Sequence, residues 1–189
     1  MSDQQHEDNK NSTFKIALNL AMACLISGCI IAVTYFFTAD AAVAASIKLR
    51  DDTMKTMVDG STGIKEIEGK DEWYEVYKGD ELMGYIVPSD TKGYGGTIEL
   101  LVAVDPEGKV LTYKILTSKE TPGLGDNASK KEFTSQFTGK TTEHLIVTKD
   151  PSDTEDIQAM SGATITSKAV TLGVKAAVEE VQAYLKGGE

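Results

Sequence analysis

The sequence predicts an α+β protein: one N-terminal transmembrane helix, then a single domain of antiparallel sheet packed with helices. Three observations carry this. Residues 16–39 hold no charged side chain and are rich in Leu, Ile, Ala, Val and Phe, the composition of a membrane span. Strand-like runs between Trp73 and Thr117 come in pairs joined by short turn sequences, the pattern of hairpins. A last stretch, Lys168 to about Leu185, repeats its apolar residues at helical spacing. Strands and helices alternate too loosely for a regular βαβ array.

The elements follow in order. Residues 1–15 form a polar tail that reads as disordered. Residues 16–39 would span roughly 36 Å as a helix, enough to cross the hydrocarbon core with some tilt. Tyr35, Phe36 and Phe37 stand at its far end, where an aromatic belt would lie. Lys10 and Lys15 precede the span and Asp40 follows it, so the positive-inside rule leans toward a cytoplasmic N-terminus. A cleaved lipoprotein signal is the rival, since Ile26-Ser27-Gly28-Cys29 resembles its processing box. The apolar run continues through Phe37, which favours a retained helix. Residues 40–60 read as a helical connector, with Gly60 to end it and Gly60-Ser61-Thr62-Gly63 as a turn.

The domain then occupies residues 61–189. Trp73–Tyr77 and Leu82–Val87 flank Lys78-Gly79-Asp80-Glu81, and Thr97–Asp105 and Val110–Thr117 flank Pro106-Glu107-Gly108-Lys109. Both are expected hairpins. Leu100, Val102, Val104, Val110, Tyr113 and Ile115 are expected to face a core. Ser129–Phe137 reads as a short helix with Phe133 and Phe137 one turn apart, and His144–Thr148 as a further strand. Val170, Val174, Val178, Val181 and Leu185 form the apolar stripe of the last helix.

Composition removes several functions. The 189 residues carry a formal net charge of −10, and Arg50 is the sole arginine. Nucleic-acid binding needs clustered Lys and Arg, so it is not expected. The 150 residues after the span, 40–189, are enough for one core. Both cysteines, Cys24 and Cys29, lie inside the span on different helix faces, which leaves the domain without disulfides or thiolate metal ligands. His6 and His144 have no ligand-spaced companions, and no metal is expected. Ser89-Asp90-Thr91-Lys92 fits S-x-x-K but lacks the accompanying serine-hydrolase motifs.

The most informative stretch is Ser161-Gly162-Ala163-Thr164-Ile165-Thr166-Ser167, directly ahead of the last helix. A helix N-terminus carries unpaired N–H groups and the positive pole of the helix dipole, and so attracts phosphate. The alternative is a plain N-cap with a hydroxyl-rich first turn. Two glycine-rich loops, Lys92-Gly93-Tyr94-Gly95-Gly96 and Glu120-Thr121-Pro122-Gly123-Leu124-Gly125, either admit a flat ligand or are ordinary turns.

Together, Ser161-Gly162-Ala163-Thr164 followed by Ile165-Thr166-Ser167, with Glu120-Thr121-Pro122-Gly123-Leu124-Gly125 upstream, resemble the FMN-binding domain of respiratory membrane complexes. Its members include the G-type subunit of the Rnf ferredoxin:NAD oxidoreductase and the C-type subunit of the sodium-translocating NADH:quinone reductase. The resemblance runs roughly from Trp73 to Leu185. The short length and the Lys92-to-Gly96 loop favour the Rnf type.

What the resemblance implies is specific. A flavin transferase would move FMN from FAD onto the hydroxyl of Thr164, leaving a covalent phosphoester. Ser161, Gly162 and Ala163 would form the rest of that motif, and Thr166 and Ser167 would hydrogen-bond the phosphate. Glu120, Thr121 and Leu124 would lie near the isoalloxazine ring, with Gly123 and Gly125 shaping their loop and Tyr94 packing on the ring or standing as a rim tyrosine. A carboxylate at Glu120 beside the flavin would tune its potential. The family pattern often carries an acidic residue six positions before the acceptor, where this chain has Gln158. The implied function is electron relay inside a membrane complex that couples ferredoxin:NAD electron transfer to sodium or proton translocation. Its partners would be the other Rnf-type subunits, the flavin transferase during maturation, and the membrane. The FMN domain would sit on the extracytoplasmic side of the cell membrane. The alternative is a membrane-anchored flavin-binding or regulatory module outside such a complex.

Overall fold

The computed structural model describes residues 2–187, with side chains described from Thr13 onward. The chain divides into two units, Met1–Lys48 and Leu49–Glu189. Helix α1 runs over Ser2–Met57. No Pro or Gly interrupts it before Gly28, so the polar residues expected to be disordered fall inside the helix. Within the first unit the apolar side chains are bare: Phe36 and Phe37 are each 76% exposed. By length and composition Thr13–Met57 is long and apolar enough to cross a membrane. Such a surface is stable only in an apolar surrounding.

The second unit is built on a five-stranded antiparallel meander. Its strands are β1 (Gly63–Glu66), β2 (Tyr74–Lys78), β3 (Glu81–Lys92), β4 (Thr97–Val104) and β5 (Val110–Thr117), in that spatial order. Both expected hairpins are present. Gly79 turns the first at φ 61°. Asp105 closes the second, its Oδ1 accepting the Glu107 and Lys109 amides at 2.9 and 2.8 Å, so β4 stops one residue earlier than the sequence suggests. Strand β1 begins at Gly63, inside the expected turn; it is an exposed edge strand with no alternation to reveal it. Strand β3 runs five residues past Val87. The last residue that β2 pairs is Ile86. Pro88 therefore sits on a stretch with one open edge, where a missing N–H is tolerated.

Alternation along β4 buries both sheet faces. Ile98, Leu100, Val102 and Val104 join Val170, Val174, Val178 and Val181 of helix α3 (Thr164–Gly187). Leu101 and Ala103 point the other way, onto Val76, Ile86, Met54, Met57 and Val58. The final turns of α1 thus belong to the domain, and Arg50 pairs with Glu72. Leu185 departs from the expected stripe, at 38% exposed. The α3 contact is close because Gly173 has no side chain: a Cβ there would meet Leu100 Cδ1 at 2.7 Å. Ser89 Oγ donates to the Gly173 carbonyl at 2.8 Å. The S-x-x-K serine is therefore a packing residue, and a strand puts Ser89 and Lys92 on opposite faces.

The expected helix over Ser129–Phe137 is broken. A 3₁₀ turn (Gly125–Ser129), one α turn, α2 (Lys131–Thr134), and a second 3₁₀ turn (Ser135–Phe137) replace it. Lys130 is extended, at φ −81° and ψ 151°, and divides the segment. Phe137 packs edge-on against Phe133 and Tyr113, at 5.3 and 4.9 Å between ring centres. Strand β6 (Val147–Thr148) is shorter than expected and pairs in parallel with β7 (Ile157–Gln158), which has no counterpart in the sequence reading.

Buried Tyr113 donates its hydroxyl to the Ala128 carbonyl at 2.5 Å, tying β5 to the 3₁₀ turn, and burial pushes its pKa up. The sign follows from linkage. The phenol stays neutral in the fold while the unfolded chain ionises near 10, so its contribution is whole below about pH 10 and lost above it. Tyr113→Phe is expected to cost about 1–2 kcal/mol at neutral pH and to flatten the loss of stability above about pH 10. Denaturant melts at pH 7 and pH 10.5 check both.

Candidate cofactor site

The first turn of α3 sorts its hydroxyls into two kinds. The helix starts at Thr164, so Thr164, Thr166 and Ser167 lie in the first turn and Ser161 alone of the motif's hydroxyls precedes it. Ser167 N–H makes the first helical bond, to the Ala163 carbonyl at 2.9 Å. The amides of Thr164, Ile165 and Thr166 come ahead of any helical acceptor, and among the described residues nothing bonds them, so they can meet an anion. Ser167 Oγ donates to the Ala163 carbonyl at 2.9 Å and accepts the Met160 amide at 3.0 Å. Thr166 Oγ1 donates to Glu120 Oε2. Both hydroxyls are buried and committed. Thr164 is half-buried, and among the described residues nothing hydrogen-bonds its hydroxyl.

The two glycine loops converge on this turn. Loop 93–96 joins β3 to β4, with Gly93 N–H bonded to the Gly96 carbonyl at 2.8 Å. It lifts Tyr94 out to 72% exposure. Loop 120–125 folds around the Thr121 carbonyl, which accepts the Leu124 and Gly125 amides at 3.1 and 3.0 Å. Gly123 turns it at φ 77°, a conformation that favours glycine. At Gly162, φ 76°, a Cβ would stand 3.1 Å from Leu124 Cδ2, so the two sequence motifs touch. Glu120 lies beneath, 9% exposed, its Oε1 accepting the Gly95 amide at 2.8 Å.

These segments enclose a cavity of about 510 Å³, lined by Tyr94, Glu120, Thr121, Leu124, Gly125 and residues 162–166. That volume lies in the range of small-molecule sites. Its walls are apolar at Tyr94, Leu124 and Ile165 and polar at the helix end. Of the expected site residues, Tyr94, Glu120, Thr121, Leu124, Gly162, Ala163, Thr164 and Thr166 line it; Ser161, Gly123 and Ser167 do not. Thr166 and Ser167 are expected from the sequence to bond phosphate, but the Thr166 hydroxyl is given to Glu120 and that of Ser167 to the chain entering α3. Gly125 and Ile165 line the cavity as well.

Comparison with known proteins fixes the family. The FMN-binding domain family matches residues 93–179. The G-type subunit of the proton-translocating ferredoxin:NAD(+) oxidoreductase complex of Clostridium ljungdahlii is 49% identical over 181 residues, covering 96% of this chain and 98% of its own. The chain belongs to this G-type family. Its counterpart in the Na(+)-translocating complex of Acetobacterium woodii is 32% identical, covering 89% of this chain and 91% of its own. The fold is also that of NqrC from Shewanella oneidensis, at 22% identity and a TM-score of 0.52, covering 68% and 70% of the two chains.

The cavity of this G-type chain suits FMN: a flat ring between Tyr94, Leu124 and Ile165, and a phosphate at the free amides of the α3 end. Two features of the neighbourhood escape sequence reading. Gly93, Gly95 and Gly125 are tight because of what surrounds them. A Cβ at Gly125 would lie 2.6 Å from Glu120 Oε2 and 2.9 Å from Thr166 Oγ1. Gln158, in the place of the usual acidic residue, donates its side-chain amide to the Asp150 and Asp153 carbonyls at 2.7 and 2.6 Å. A carboxylate could not make those bonds, so here the position ties down the preceding loop.

Gly125→Ala is expected to destabilise the domain by about 1–3 kcal/mol through overpacking and to lower FMN content. Gly123→Ala meets no neighbour but strains a positive φ, and is expected to cost about 1 kcal/mol. Calorimetry and flavin absorbance of the two purified variants check the ranking.

Proposed function

We propose that the chain carries FMN covalently on Thr164 and relays electrons within a membrane complex coupling ferredoxin:NAD+ electron transfer to ion movement. The observation that carries the reading is the division of hydroxyls. Thr166 and Ser167 are buried and bonded, whereas Thr164 faces the cavity with no bond to hold it. A group-transfer acceptor has to be reachable and uncommitted. In the transfer, the bond from Thr164 Oγ1 to phosphorus forms as the pyrophosphate bond of FAD breaks; AMP leaves, and the hydroxyl proton passes to the transferase or to water. Gly162 gives the transferase room beside the hydroxyl.

Bound there, FMN would supply electron-transfer chemistry. The chain's own residues do the rest. The Thr164, Ile165 and Thr166 amides neutralise phosphate charge. Leu124, Ile165 and Tyr94 wall the ring and keep water from part of it. The chain has no bond-making substrate in this reading, and ferredoxin and NAD meet other subunits. The names of the relatives divide between proton and Na+, and the reading takes either ion. The apolar part of α1 crosses the cell membrane once, with the FMN domain on the extracytoplasmic side, where a covalent bond prevents loss of a cofactor that could not readily be replaced. Gly28 with Ser27 and Ala32 offers integral partners a small-residue face.

Made in cells with an active flavin transferase, the wild-type chain is expected to gain the mass of FMN less one water and to fluoresce in a denaturing gel. Thr164→Val is expected to lose both, and Thr164→Ser to keep a measurable fraction. An unmodified wild type beside a modified control substrate would overturn the covalent reading. Absence of integral partners on mild purification would remove the complex.

A further inference from the structure

One carboxylate joins three segments that are far apart in the chain. Glu120 Oε1 holds the Gly95 amide at 2.8 Å, and Oε2 takes the Thr166 hydroxyl. Gly95 belongs to the loop that carries Tyr94. Thr166 stands two residues after Thr164 on the first turn of α3. Glu120 itself opens the loop whose Leu124 reaches Gly162. Among the described residues no cation pairs with it. The packing is specific to this side chain: a Cβ at Gly93 would overlap Oε1, and one at Gly125 would fall 2.6 Å from Oε2. A buried carboxylate held by two uncharged donors is a poor way to gain stability alone. It is a good way to set a distance, because an ionised carboxylate accepts only and its two oxygens have fixed spacing.

We propose that Glu120 is the positioning residue of the cofactor seat. Its two oxygens fix the gap between the Tyr94 loop and the helix turn bearing Thr164, so that the apolar walls and the acceptor hydroxyl present one preset geometry. It acts through Gly95 and Thr166, and its carboxylate is already spent on them. The proposal rests on the Thr164 reading and deepens it. Glu120→Gln can keep both contacts, its oxygen accepting the Gly95 amide and its N–H₂ donating to the Thr166 hydroxyl oxygen, whereas Glu120→Met keeps the length of the side chain and leaves both the Gly95 amide and the Thr166 hydroxyl without an acceptor. Thr166→Val removes only the helix half of the brace, and Thr166→Ser keeps it.

The test uses the full chain in detergent, with flavin transferase and FAD. Two quantities are followed: the initial rate of FMN mass gain, and hydrogen exchange of the unloaded chain at residues 93–97 and 164–168. Glu120→Met, which loses both contacts, and Thr166→Val, which loses one charge-assisted hydrogen bond, are each expected to slow attachment, Thr166→Val roughly ten- to a hundredfold. Exchange is expected to accelerate at 93–97 in the first variant and at 164–168 in both. Thr166→Ser is expected to match wild type. Attachment and exchange unchanged in Thr166→Val would overturn the proposal, and that variant decides alone should Glu120→Met fail to melt cooperatively. A wild type that takes no FMN sinks the Thr164 reading, while the exchange data still judge the brace.

Discussion

The site depends on how closely α3 lies against β3 and β4. Gly173 lets the helix backbone approach Leu100 and Thr91, and the Ser89 hydroxyl bonds to the helix at that point. Four valines at helical spacing then fill the groove, all fully buried. Tyr184 stacks edge-on with Trp73 and Tyr85 toward the far end, at 5.6 and 5.8 Å between ring centres. A helix fixed at its middle and its end has little freedom at its start. The axis of α3 is therefore set by the sheet packing before any ligand arrives, which is the kind of preorganisation a fixed cofactor needs, and the contacts between its first turn and the β3–β4 loop run through Glu120.

The same turn shows how a capped helix and an open one can coexist. Ser167 reaches back to Ala163 and Met160, holding the entering chain as a cap would. It does so one turn inside the helix and leaves the three leading amides clear. The hydroxyls of Ser161–Ser167 thus take different parts: Ser167 holds the entering chain, while among the described residues nothing bonds the Thr164 hydroxyl.

Much of this is legible in the sequence, for physical reasons that can be named. The meander shows because β4 and β5 alternate and their turns carry Gly and Asp. The α3 stripe shows because its valines repeat at close to 3.6 residues. Strands β1 and β7 are hidden and β6 is read too long: short strands of two to four residues carry too few side chains for a period to appear. The brevity of α2 is hidden too, because the phenylalanine spacing fits a longer helix while the break at Lys130 leaves no mark in residue type. At the site, the hydroxyl motif marks the helix start that lines the cavity but cannot say which hydroxyls stay free. That is decided in part by a carboxylate 46 residues away in the chain, a pairing invisible to any local pattern.

The glycines make the final connection. Glycines 93, 95 and 125 read from the sequence as freedom, a backbone permitted to turn or to approach a flat ligand. In the fold none of the three takes the positive φ that demands glycine. At Gly95 the Lys119 carbonyl occupies the place a Cβ would take, and at Gly93 and Gly125 the Glu120 carboxylate does. These residues are glycine because other groups already fill the space. A loop of this sort is rigid, since the lost side chains are exchanged for tight contacts. Rigidity of the Tyr94 loop, together with a helix start held by the sheet, gives the cavity two fixed walls with one carboxylate between them. For a chain proposed to hold FMN at a set place between partners, fixed walls serve better than a closing lid.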